Sequence, residues 1–454
     1  MRVLIFHGYL LRGTGSNVYN ASLARALAGL GHEVHLLCQD RAAGELDWVG
    51  GSGPGSVTVH VPEIGGLLPV YVADRYEGFE VKTFPELSEA ELDRYLAANV
   101  EAVRAVVEDV GEPDAALANH LIMGPVILAR AGLRYAIKVH GSDLSYTVMP
   151  HPERFVPYAR EGTDAASGLL VGSRHTAEDL WRTIPDPGLP ARTRLGPPGV
   201  DTREFRSAPE AEALAGVVEL AEEIAGEPPD ESFGRDGPAA AAALREWAGG
   251  SPRVLFVGKL LRNKGVDLLV SAWPQVRRAH PGARLLLAGF GELRDSLAEQ
   301  ISELDGPTAA SISISGRLEH SEVGRVMPAA QTLVMPSVFP EAFGMVAAEA
   351  AACGVPPVSA AHSGMLEVSS ELAEAVPEHA ELLSFEVGPG SVEAIAERVN
   401  GWLALPAPER LRVGEALAAR VDELWSWERV AEGVIAASRG ELERLAPVPS
   451  GGSD

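Results

Sequence analysis

The most constraining feature of this sequence is a structural rhythm that begins twice. Val3–Phe6 is a short apolar run of the kind that forms a strand buried on both faces. Asn17–Gly29 follows with Val18, Leu23, Ala24 and Leu27 at helical spacing, and Gly29 and Gly31 stop it. Val34–Leu37 is the next strand, Glu89–Val110 a long helix, and Ala115–Ala118, Tyr135–Val139 and Leu169–Val171 are further strands with helices between them. The rhythm restarts with strand Val254–Val257, helix Val266–Arg278, strand Arg284–Ala288 and helix Leu293–Leu304, then strands Ser311–Ser315, Thr332–Met335 and Pro356–Ser359. Alternating strands and helices make a parallel sheet covered on both faces. Two such series predict two open α/β domains facing each other across a cleft, with ligand sites at the carboxyl ends of the strands.

Between the series, Arg206–Gly250 is dense in acids (Glu210, Glu212, Glu219, Glu222, Glu223, Glu227) and carries Pro228-Pro229 and an alanine run. It reads as an acidic linker or insertion, partly helical and partly disordered. The predicted organisation is an N-terminal domain over 1–205, the linker over 206–250, a C-terminal domain over 251–426, a helix over 427–445 and a flexible tail over 446–454.

The chain of 454 residues carries 38 Lys plus Arg against 63 Asp plus Glu, a net charge of −25, which argues against nucleic acid as its main partner. Two cysteines, Cys38 and Cys353, make neither a disulfide framework nor a Cys-based zinc site and suit a reducing compartment. No apolar run has the length of a membrane span, and the start lacks the apolar core of a signal peptide. The expected location is cytoplasmic.

Four segments can carry chemistry. Gly13-Thr14-Gly15-Ser16-Asn17 opens the first helix, where glycines let backbone N–H groups approach an anion, or where Ser16 or Asn17 simply caps a turn. Gly258–Gly265 ends the strand that opens the second series and puts Lys259, Arg262 and Lys264 within six residues; a diphosphate suits such a cluster, although exposed cations need no ligand. In Pro336–Ala350, Glu341 lies in a loop at a helix start and Glu349 eight residues on, inside an alanine-rich helix. A carboxylate buried there needs hydrogen-bond donors such as sugar or ribose hydroxyls; one on an exposed face does not. His140-Gly141-Ser142-Asp143 follows a strand, with His120 and His7-Gly8 similarly placed. The sequence offers no cluster with metal-ligand spacing.

Taken in order, these segments resemble a family. "GSNVYNASLARALAGLGHEVHLL" (Gly15–Leu37), "PPGVDTREF" (Pro197–Phe205), "VLFVGKLLRNKGVDLL" (Val254–Leu269) and "PSVFPEAFGMVAAEAAACGVPPV" (Pro336–Val358) are similar to the retaining nucleotide-sugar glycosyltransferases of the family 4 group, which have the GT-B fold. The resemblance implies two Rossmann-like domains, with "SWERVAEGVI" (Ser426–Ile435) beginning a helix that crosses back onto the first. It implies transfer of a hexosyl group from a UDP- or GDP-linked sugar to an acceptor hydroxyl by a front-face route, with no metal or other cofactor. Carried over residue by residue, Glu341 contacts the donor sugar, Phe343, Gly344, Met345 and Val346 present backbone to sugar and phosphates, and Glu349 accepts from the ribose. Lys264 and Lys259 hold the diphosphate, Gly15 belongs to the N-terminal loop, and His140 lies near the transferred sugar. His140, Glu341 and Lys264 are then the expected catalytic residues.

Three departures stand out. Lys259 replaces the family's Arg, a point charge in place of a bidentate fork. Thr14 replaces the first glycine of a pair, and Ser363-Gly364 replaces the paired glycines after the last donor strand. A non-catalytic nucleotide-sugar-binding subunit, or an epimerase or hydrolase of the same donor, fits the same residues. The acceptor, whether sugar, polyol, lipid or another small molecule, is not specified.

Overall fold

The structure, a computed structural model, describes residues 1–12, 15–50, 53–71, 78–229 and 234–449. The chain divides into two compact units, residues 1–199 with 427 onward and residues 200–426.

Among the described residues, the first unit is built on nine strands. They are β1 (Arg2–Phe6), β2 (Glu33–Leu37), β3 (Ser56–His60), β4 (Leu67–Val70), β5 (Glu80–Thr83), β6 (Ala115–Asn119), β7 (Ala136–Val139), β8 (Gly168–Val171) and β9 (Thr193–Leu195). Seven form a parallel sheet ordered β3-β2-β1-β6-β7-β8-β9, and β4 and β5 pair separately. Every residue of β6, β7 and β8 is buried, which explains why they are apolar except at Asn119 and Lys138. The strand order reverses at β1, where the chain leaves β3 and returns beside β1 as β6. The loops after β1 and β6 therefore diverge and leave a crevice at their carboxyl ends.

The second unit repeats the plan with β10 (Arg253–Val257), β11 (Arg284–Ala288), β12 (Ile312–Gly316), β13 (Thr332–Met335), β14 (Pro357–Ala360) and β15 (Ser384–Phe385), ordered β12-β11-β10-β13-β14-β15. Its reversal falls between β10 and β13, whose following loops are those that carry Lys259, Lys264 and Glu341.

The last long helix, Trp427–Arg439, belongs to the first unit. Ala431, Val434 and Ala437 join the cluster of Val3, Ile5, Leu27 and Leu36, and Ser438 Oγ donates to Ala116 O at 2.8 Å. The chain enters it beside Gly199, where a Cβ would stand 2.6 Å from the Trp427 ring, so only glycine fits.

Two expectations are corrected. Residues 206–250, expected as an acidic linker or insertion partly helical and partly disordered, hold two helices packed into the second unit's core. Pro209 precedes a helix over Glu210–Ile224 whose Ala213, Val217, Leu220, Ala221 and Ile224 form one buried stripe. The helix Gly237–Ala248, capped by the Asp236 side chain on Ala239 N at 3.0 Å, packs beside it and buries Leu244 and Trp247 in the second unit's core. Acidic residues mark only their solvent faces. Asp230 and Glu231, also acids of the expected linker, lie outside the described residues. The tail is also held at its start: Leu195 N donates to Ala446 O at 3.0 Å and Pro447 bridges Arg194, which covers the open edge of β9. Ser450–Asp454 lie outside the described residues.

Candidate active site

In the second unit, β10 runs into Gly258-Lys259-Leu260-Leu261 and a single turn, Arg262–Lys264, ended by Gly265 at φ 64°. A Cβ on Gly265 would lie 2.0 Å from Pro336 O, so this glycine lets the loop after β10 close against the loop after β13. The contact is locked by Val338 N donating to Asn263 O at 2.9 Å, with Ser337 Oγ 3.0 Å from the same carbonyl. It brings Lys264 Nζ into a short ion pair with Glu341. Glu341 also accepts from Ser337 Oγ at 2.9 Å, its main-chain N donates to Ser363 Oγ at 2.9 Å, and its carbonyl accepts from Gly364 N at 3.0 Å. Loops after β10, β13 and β14 thus fix one carboxylate.

The departure at Ser363-Gly364 has a structural use. Ser363 sits at φ 51° with its hydroxyl on Glu341, and a Cβ on Gly364 would lie 2.5 Å from Phe343 Cα. Gly344, at φ 119°, then starts the helix Met345–Ala352. Helical bonding begins with Ala347 N to Gly344 O, so the N–H groups of Met345 and Val346 stand ahead of the ladder and can bind an anion. Phe343 is buried edge-on against Trp425, ring centroids 5.2 Å apart. Lys259 and Arg262 are exposed.

Glu349 is buried at 4% exposure, and its donor is a side chain. His320, on the short helix His320–Val326 after β12, places Nε2 2.8 Å from Glu349 Oε1 and Nδ1 3.6 Å from Glu204 Oε2. Burial opposes charging the imidazole, but its bonds to Glu204 and Glu349 prevail and raise it from 6.5 to about 10. His320 is therefore cationic at neutral pH, and its Nε2 engages one oxygen of Glu349. Sequence reasoning missed His320 and Ser337, and marked Ser363 only as a departure from the family's glycine pair. The burial of Glu349 demanded a donor, but nothing in spacing reveals a partner 29 residues away.

In the first unit, Gly15 at φ 61° precedes the helix Ser16–Gly29. Gly13 and Thr14 lie outside the described residues. The histidines of the sequence reading converge on the crevice beside β1. His140, half-buried at the end of β7, lies edge-on to Tyr19 at 5.0 Å and 4.8 Å from the His120 ring. Burial, then the neighbouring His120, Lys138 and His7, depress its pKa well below 6.5. His120 takes φ 66°, unusual for a non-glycine, and reaches Ser16 Oγ at 3.2 Å. Asp143 turns inward rather than only capping its own turn: fully buried, it accepts from Gly141 N, Leu144 N and Leu121 N at 2.9, 3.1 and 2.6 Å, tying the loops after β6 and β7 together. Asn119 and Asn20, which no sequence pattern marked, complete this cluster.

Among the described residues, no group of three or more His, Cys, Asp or Glu is arranged to hold a metal ion, and no helix is long and apolar enough to cross a membrane.

Comparison with known proteins agrees with this architecture. Residues 13–204 match Glycosyltransferase Family 4, and residues 244–420 match Glycosyl transferases group 1. Glycogen synthase of Mycobacterium tuberculosis is 33% identical over 211 residues, covering 46% of this chain and 48% of that protein. The chain thus spans about half the length of the curated relatives it matches first. A GDP-mannose-dependent monoacylated alpha-(1-6)-phosphatidylinositol monomannoside mannosyltransferase of Corynebacterium glutamicum is 26% identical over 292 residues, covering 59% of this chain and 69% of that one. Among solved structures, HepE of Anabaena in complex with UDP-glucose superposes with a TM-score of 0.62 at 15% identity, covering 98% of this chain and 100% of that chain. With a family 4 domain followed by a group 1 domain, each on its own parallel sheet, the chain belongs to the GT-B glycosyltransferases.

Proposed function

We propose that this protein transfers a hexosyl group from a UDP- or GDP-linked sugar to an acceptor hydroxyl with retention at the anomeric carbon. The observation that carries the reading is the Lys264–Glu341 pair, held by the two loops at the reversal of the second sheet and set at the start of the helix Met345–Ala352. Such a site offers a cation and free amides to a diphosphate, and a carboxylate to the hydroxyls of the attached sugar. The glycogen synthase and GDP-mannose-dependent relatives, and the UDP-glucose complex of HepE, support a nucleotide-sugar donor.

In this reading the bond between the anomeric carbon and the diphosphate oxygen breaks, and its electron pair leaves with the nucleoside diphosphate. Lys264, Lys259 and the N–H groups of Gly344, Met345 and Val346 stabilise that growing charge, the part a metal ion plays elsewhere. The acceptor oxygen bonds to the same face of the carbon, and its proton passes to the departing phosphate. Glu341 orients the sugar, Phe343 backs the loop, and Glu349, paired with His320, takes the ribose hydroxyls. His140, with Gly15 of the N-terminal loop, serves the reacting hydroxyls.

A thermal-shift series over UDP-glucose, GDP-mannose and ADP-glucose tests this, since a ligand at a hundred times its Kd stabilises by about 2.7 kcal/mol. Proton NMR of the product from the stabilising donor reads the anomeric configuration. Absence of a shift with every donor, or an inverted product, defeats the proposal. Lys259 in place of Arg favours one alternative, a subunit that binds the donor without turning it over, and tight binding with no transfer would select it.

A further inference from the structure

Main-chain carbonyls decide which way a set of buried amides and imidazoles can face beside β1. A carbonyl oxygen only accepts hydrogen bonds and an amide NH2 only donates them. Asn20 Nδ2 lies 2.7 Å from Ser16 O, so the NH2 end of Asn20 faces there. The same nitrogen lies 3.0 Å from His7 Nδ1, which must therefore carry the lone pair. His7 Nε2 lies 2.9 Å from Leu10 O and 3.0 Å from Asn17 Oδ1. Asn17 is itself oriented by its NH2 on Arg12 O at 2.9 Å. Both neighbours of Nε2 accept, so Nε2 bears the hydrogen. Burial, helped by His120, lowers His7 to about 3 and keeps it neutral. The oxygen of Asn20 then faces Asn119 and accepts a short hydrogen bond from its Nδ2. That leaves Asn119 Oδ1 facing His140 Nε2 at 2.8 Å, and His140 has to donate.

We propose that Asn119, Asn20 and His7 are positioning residues: a one-way hydrogen-bond relay, anchored on the carbonyls of Ser16, Leu10 and Arg12, holds His140 as the Nε2–H tautomer, so that its Nδ1 meets the substrate as a hydrogen-bond acceptor for a hydroxyl. Nδ1 has no hydrogen-bond partner among the described residues. The charged or titratable groups around the ring are His120 from the end of β6, Lys138 on β7, His7 from the end of β1 and Tyr19 on the first helix. Burial and the neighbouring His120 and Lys138 disfavour a proton on Nδ1, and Asp143 faces His120 rather than His140. A neutral imidazole with its donor occupied can only receive. The direction of the relay rests on this geometry alone; the role of Nδ1 rests on the glycosyl-transfer reading.

The test uses the full chain labelled with 15N-histidine, with His140 assigned by the loss of its signals in His140→Gln and its tautomer read by long-range proton–nitrogen correlation from pH 6 to 8. The expected wild-type result is neutral Nε2–H throughout, for His7 as well. Asn119→Leu removes the acceptor. Asn20→Ala cuts the relay one bond away without touching His140, and serves if Asn119→Leu fails to fold. Either should give mixed tautomers at His140 and at least a tenfold loss of kcat, with donor affinity unchanged. His140 found as Nδ1–H or as imidazolium at pH 7, or a tautomer unmoved in the folded variants, overturns the relay. Mixed tautomers with full turnover overturn the role given to Nδ1. The spectrum needs no sugar transfer, so a protein inactive on every donor but still Nε2–H at His140 keeps the relay while losing the proposed function.

Discussion

Removing Lys264 should be the most damaging single change to turnover that leaves the fold intact. The side chains of Lys264 and Glu341 are only 28% and 22% exposed, so their charges act through a medium well below the dielectric of water. A cation about 4 Å from a phosphate oxygen at an effective dielectric of about 20 interacts by about 4 kcal/mol. Lys264→Ala forfeits that attraction. It also leaves Glu341, still held by Ser337 Oγ and the Gly364 N–H, as an unpaired carboxylate facing the diphosphate. The expected loss in kcat/KM is roughly two to three orders of magnitude. Because the two side chains form one unit, Glu341→Gln added to Lys264→Ala relieves the repulsion. The double variant should then be no worse than the poorer single variant. The assay is steady-state transfer with the donor chosen by thermal shift, with circular dichroism melts to confirm folding. Singles near wild-type rates, or a double variant whose loss is the product of the two, would refute the paired-site reasoning.

The other predictions concern the framework around the site. Trp247 is fully buried and its indole N–H donates to Val254 O at 3.0 Å, so Trp247→Ala should cost about 3–5 kcal/mol, and urea titration should show a much lower midpoint than Trp247→Phe gives. An unchanged midpoint would return residues 206–250 to the status of a spacer. His320 has a native pKa of about 10, above its usual 6.5, so its contribution to stability is complete below about 6.5 and fades as the pH rises toward 10. Melting temperatures of the wild type should fall across that window more steeply than those of His320→Gln, and parallel curves would contradict the bridge to Glu204 and Glu349.

Much of the architecture is legible from local pattern. Buried parallel strands must be continuously apolar, as Val3–Phe6 and Val254–Val257 are, and the helices between them show a 3.6-residue stripe. The weakest legibility lies where burial is one-sided or tertiary. The alanine-rich, acid-faced helices Glu210–Ile224 and Gly237–Ala248 look like a solvated linker because small residues suffice to pack one helix on the other. β9 and β15, three and two residues long, are too short to register against composition, and β3 and β5 are too exposed to show an apolar run.

The sequence by itself determined that two sheets form, that glycines punctuate their strand ends, that Lys264, Glu341 and His140 follow those ends, and that Glu349 lies in the helix beyond, because each follows from residues near one another along the chain. Only the tertiary structure decided who pairs with whom: Glu341 with Lys264, Glu349 with His320, and His140 through Asn119 and Asn20 with His7. The physical reason is that a buried polar atom must find a partner, while the reversal of strand order that brings partners together depends on how the whole sheet is wound.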